Sequence, residues 1–147
     1  MGTRGVKIYD SDEASKIKED YERYLIKGKN AEETKKEMLE KYAEKFIKYI
    51  KLNDQYIDKD SIKANYYNKR ATLWFDKIEK YEDNVMILKK LMQHELICVR
   101  VFVADACLNK KELEKEAYKV LIEIKKNKTS IYSILADLRI LNYKKIE

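Results

Sequence analysis

At 147 residues, with 45% hydrophobic and 39% charged side chains of both signs interspersed, the chain carries enough apolar surface for one core and is not disordered by composition. Its formal charge of +6 rests on 27 lysines and only 5 arginines. Arginine is the side chain suited to bidentate base and phosphate contacts, so this excess argues against base-specific nucleic-acid readout. No apolar run reaches the length of a membrane span or has the form of a signal-peptide core.

Proline is absent and only three glycines occur, so helices with short connections are expected throughout. Residues 1–9 read as a flexible tail and residues 10–147 as a single domain. A first helix is expected after Asp10 or Ser11, striped by Ala14, Ile17, Tyr21, Tyr24 and Leu25 and closed by Gly28 as a left-handed cap. Asn30 with Glu33 then has the spacing of a capping box, opening a second helix whose apolar face is Met38, Leu39, Tyr42, Phe46, Tyr49 and Ile50. That helix is expected to end near Leu52, before a break at Asn53 and Asp54. The third starts between Asp58 and Ser61, runs to about Tyr81, and is striped by Tyr67, Ala71, Trp74, Ile78 and Tyr81.

Asp83 or Asn84 opens a fourth helix carrying Val85, Leu88, Leu91 and Met92, followed by a tight turn at Gln93, His94 and Glu95. The fifth, Leu96 to Leu108, has hardly any polar face and must be covered on several sides. Its β-branched run ICVRVFVA also suits a strand, but no other segment supplies a partner strand, and a lone strand leaves its backbone unsatisfied. A helix is the expectation. Asn109 is expected to cap the sixth, striped by Leu113, Ala117, Val120, Leu121 and Ile124. Thr129 or Ser130 caps the seventh, with a stripe of Ile131, Ile134, Leu135, Leu138 and Leu141.

Cys98 and Cys107 lie nine positions apart on the fifth helix, about 13 Å along its axis, too far for a disulfide. Two unpaired, buried thiols fit a reducing, cytoplasmic compartment.

Leu88, Leu91, Met92, the turn at His94 and Glu95, then Val99-Arg100, Val103-Ala104, Ala106 and Leu108 resemble a HEAT repeat. From Asn65 and Asn68 through Leu73-Trp74-Phe75-Asp76 to Val99-Arg100, the order is similar to a small bacterial HEAT-like family of undetermined function. The resemblance implies an all-α, HEAT/ARM-like antiparallel stack of about seven helices with a right-handed superhelical turn. Small proteins of this kind occur as immunity proteins, so it also implies a cognate toxin domain as partner. The chain departs from the repeat pattern in having no proline in the first helix or turn.

Catalytic chemistry finds few residues to use. His94 is the only histidine and stands in an inter-helix turn, where it more naturally serves geometry than a nucleophile. His94 and Cys98 share a face but lack the further ligands a metal site needs, so no metal or cofactor is expected. Asp58, Asp60 and Ser61 lack the glycine and the closing glutamate of a calcium loop and read as helix caps. Arg100 is expected to bond turn carbonyls or an acidic neighbour.

What remains is binding. Asp12, Glu19 and Asp20 stand in a segment where six carboxylates face two lysines, a surface complementary to a cationic protein. Asn65, Tyr66 and Lys69 form a second patch for a protein partner, since tyrosine is enriched at interfaces. The alternative is a nucleic-acid-binding face of Lys125, Lys126, Lys128, Lys144 and Lys145, contacting phosphate without sequence preference. The expectation is a non-enzymatic protein-binding domain with no membrane association.

Overall fold

The structure, a computed structural model, describes residues 31–127 and 130–146, together with Lys16, Lys18 and Glu19; for 144–146 only the backbone is described. The described residues are all-helical, with no strand. The first helix expected from the sequence, with its Gly28 cap and the Asn30 cap after it, lies outside them apart from Lys16, Lys18 and Glu19, which are helical and exposed. Six helices follow: α1 (Ala31–Tyr56), α2 (Ser61–Glu79), α3 (Val85–Met92), α4 (Ile97–Cys107), α5 (Glu114–Lys126) and α6 (Ile131–Ile146). The chain divides into two units, Met1–Tyr42 and Ala43–Glu147, with the boundary inside α1.

In the first unit, Glu32 and Glu33 occupy the opening turn of α1, where carboxylates favour the positive end of the helix dipole. Thr34, Leu39 and Tyr42 are buried there.

Helix α1 does not stop at Leu52. It continues through Asn53 and Asp54 to Tyr56, because the Asn53 amide, instead of breaking the helix, donates from Nδ2 to the carbonyl of Ala64 on α2 at 2.7 Å. Asp60 then caps α2 as expected, its carboxylate accepting from the amides of Ile62 and Lys63, each at 3.1 Å. Phe46 of α1, Phe75 of α2 and Phe102 of α4 meet in a three-ring cluster with centroids 5.0–5.3 Å apart, the aromatic centre of the core. Arg70 is buried against the same helix pair, stacked 5.1 Å from the Tyr49 ring with its guanidinium donating to the Tyr49 hydroxyl.

Asn84 opens α3 as expected, its carbonyl accepting from the Leu88 amide at 3.0 Å, but its side chain makes no cap bond to that helix. Its buried amide turns back to the carbonyls of Ile78 and Glu79, both at 3.3 Å, adding a side-chain donor at the end of α2 beside the Tyr81 amide, which bonds Ile78 at 3.2 Å. The Leu96 amide donates to Nδ1 of His94 at 3.1 Å, so the chain's one histidine holds the turn that opens α4, as its position suggested. Asn109 does not cap α5 either: the chain first makes a turn closed by Lys110 to Cys107 and Leu113 to Lys110 bonds, and α5 starts only after Leu113, which is buried.

Consecutive helices from α3 to α6 pack on one another, and each also touches the next but one, α3 with α5 and α4 with α6. Helix α5 buries the stripe read from its sequence, namely Leu113, Ala117, Val120, Leu121 and Ile124. Helix α6 does the opposite. Its buried residues are Ser133, Ala136 and Ile140, while Ile131, Ile134, Leu135, Leu138 and Leu141 are between 44% and 62% exposed. The large aliphatic stripe was expected inward; the helix instead packs through Ser133, Ala136 and Ile140 and turns that stripe outward.

Candidate binding groove

Helix α4 leaves one side uncovered. Cys98, Val99, Val103, Ala104 and Cys107 are buried, but Val101 and Phe102 are only partly covered. Its near-continuous apolarity is therefore not used up by packing. The uncovered side forms the floor of a groove of about 540 Å³, walled by the end of α1 and the start of α2 on one side and by α6 on the other. Ile50, Asn53 and Ile57 come from α1 and the residues after it; Ser61, Ala64, Asn65 and Asn68 from α2; Tyr132, Leu135, Leu138, Arg139 and Asn142 from α6.

Two polar contacts fix α6 across this floor. The Tyr132 hydroxyl donates to the Asp54 carboxylate, and Arg139 Nε pairs with the Asp105 carboxylate of α4. Burial, and then the adjoining Asp54 carboxylate, push the Tyr132 phenol well above its ordinary range, so it is a neutral donor. Cys98 borders the same end of the groove, and its thiol is raised by burial and by Asp54. Burial pushes the Cys107 thiol up to about 12. Neither sulfur is activated as a nucleophile.

Of the residues singled out from the sequence, Asn65 lines the groove. Tyr66 and Lys69 stand on the adjoining exposed face of α2, where Ile62, Tyr66 and Leu73 fall on one helical stripe and are 81%, 48% and 43% exposed. The Tyr66 ring meets Tyr67 edge-on at 5.3 Å, and Tyr67 in turn stacks with Tyr49 and Tyr56, so this patch rests on a tyrosine cluster. Of the acidic group, Glu19 is exposed, while Asp12 and Asp20 lie outside the described residues.

Lys125 pairs with Asp137 of α6 at 3.0 Å; Lys126 is exposed; Lys128 and the side chains of Lys144 and Lys145 lie outside the described residues. The buried Nε–H of Arg100 donates to no partner among the described residues, so the bond to a turn carbonyl or acid expected from its position is not made by that atom. Among the described residues no three His, Cys, Asp or Glu side chains gather as metal ligands do, and no helix is long and apolar enough to cross a membrane.

The residues that reasoning from sequence missed are those of α6 and Tyr132. Their signal was present as two opposite stripes on α6, one of large aliphatic residues and one of Ser133, Ala136 and Ile140, and bulk alone does not say which is buried. No protein-family model, curated protein or solved structure matches this chain.

Proposed function

We propose that the chain is a non-enzymatic, HEAT-like protein-binding module, acting in the cytoplasm as an immunity protein that occludes a toxin domain. The observation that carries the reading is the outward row of Ile131, Ile134, Leu135, Leu138 and Leu141 beside the groove. Large aliphatic side chains held half in water gain about 25 cal/mol for each Å² of apolar surface covered, and a contiguous apolar patch of this kind is the usual mark of a macromolecular interface. Helix α6 is about 24 Å long, enough to form one edge of an interface of ordinary size. The toxin as partner rests on the resemblance of Val85 to Leu108 to a HEAT repeat and of the wider chain to small bacterial HEAT-like proteins.

The test is protection. Expression of the adjacent open reading frame arrests growth, co-expression of this chain restores it, and the double variant Leu135→Asp, Leu138→Asp folds but no longer protects. Growth arrest that this chain does not relieve, or relief that survives the double variant, contradicts the reading.

A further inference from the structure

The chemistry of the groove specifies what kind of polypeptide enters it, on the premise that the α6 side is where a protein binds. Four of the chain's eight asparagines, Asn53, Asn65, Asn68 and Asn142, line it, and among the described residues no lysine does. Asn53 is committed to Ala64. Asn65, Asn68 and Asn142 are exposed, and their carboxamides make no hydrogen bond among the described residues.

A carboxamide offers a donor and an acceptor side by side, the same pair a peptide group offers, so it can hold a main chain whatever side chains that chain bears. A helical segment has already spent those groups internally; only an extended one presents them. Alternate side chains of an extended segment point to one side, here towards the apolar surface of Phe102, Leu135 and Leu138. From Ser61 to Asn68, α2 rises about 10 Å, which three residues of extended chain span.

Charge points the same way. Among the described residues the charged side chains lining the groove, Asp105 and Arg139, neutralise each other, so in a basic chain they leave no spare cation there for a phosphate backbone. That neutrality complements an uncharged peptide.

We propose that the groove between α2, α4 and α6 binds an extended, uncharged, apolar segment of a partner polypeptide, its main chain held by the carboxamides of Asn65, Asn68 and Asn142. The probe is a random peptide library displayed on phage and selected on the full chain, with the enriched peptide then synthesised with and without N-methylation of its backbone. Enrichment of uncharged sequences with apolar residues at alternate positions is expected. Each of Asn65→Ala, Asn68→Ala and Asn142→Ala should weaken the peptide about threefold to tenfold with the circular dichroism unchanged, and backbone methylation should abolish binding.

Three outcomes overturn it: no enrichment, equal binding by the triple alanine variant, or self-association of the chain that shields the three asparagine amide resonances, which gives the groove to a second copy. If the Leu135→Asp, Leu138→Asp chain loses its protein partner while the triple alanine variant keeps it, the α6 interface stands and this assignment alone falls.

Discussion

The phenol of Tyr132, the second residue of α6, donates to the carboxylate of Asp54 near the end of α1, a contact spanning 78 positions of sequence. Together with the Arg139 to Asp105 pair it holds the last helix across the groove floor, although α6 turns its largest side chains away from the core. Tyr132→Phe keeps the ring and removes the donor. It is expected to lower stability by about 1 kcal/mol at neutral pH, since Asp54 is exposed and is rehydrated when the bond is lost. The phenol's pKa is raised in the folded state, so the contribution is complete below the ordinary tyrosine value near 10 and is lost as pH rises beyond it. Urea titrations of the two proteins at pH 7 and at alkaline pH should therefore converge.

Cys107 supplies a second alkaline effect. Its thiol is raised to about 12 in the fold from an unfolded value of 9.0, chiefly by burial. Below pH 9 the neutral thiol costs nothing; between pH 9 and pH 12 the unfolded chain ionises first, and stability falls by about 1.4 kcal/mol per pH unit for this one proton. Cys107→Ala should be less stable at pH 7, because it leaves a small cavity, but should show a shallower decline above pH 9. Alkylation at pH 8 should leave Cys107 unmodified until urea unfolds the chain.

The two faces of α6 should respond oppositely to truncation. Ile140→Ala empties a site only 1% exposed and is expected to cost about 2–4 kcal/mol. Leu138→Ser, at a residue 53% exposed, should change stability by no more than about 0.5 kcal/mol. Thermal or urea unfolding checks both, and a large loss at Leu138 would return that row to the core.

Helix termination without glycine gives another test. The Asn84 amide covers the carbonyls of Ile78 and Glu79, so Asn84→Ala should cost about 1–2 kcal/mol, and Asn84→Asp no less, because a carboxylate cannot donate to either carbonyl. Amide exchange at the end of α2 should rise in both variants.

Much of this architecture was legible because polarity changes sharply around most of the helices. The stripe of α5 could be read directly, since Lys115, Lys119 and Lys126 alternate with Ala117, Val120 and Ile124 at helical spacing. Asp60 and His94 were legible as caps and turns because short-range geometry decides them. Asn53 and Asn109 were misread for a common reason: an asparagine beside a helix end can bond its own helix, a neighbouring one or neither, and only tertiary placement chooses. Helix α6 was inverted because its larger aliphatic stripe was taken as the buried one, whereas Asp137 and Arg139 flank that stripe and the opposite face of Ser133, Ala136 and Ile140 is the one that packs. The groove itself joins positions from Ile50 to Asn142, a proximity that no local pattern carries.

The most direct measurement of the central claim is amide hydrogen exchange of the chain alone and in complex with the product of the adjacent open reading frame. New protection at 131–142 and at 61–68 is the expected result, with 114–126 unchanged. Protection confined to 114–126, with α6 exchanging as fast in the complex as alone, would contradict the assignment of its aliphatic row as the binding surface.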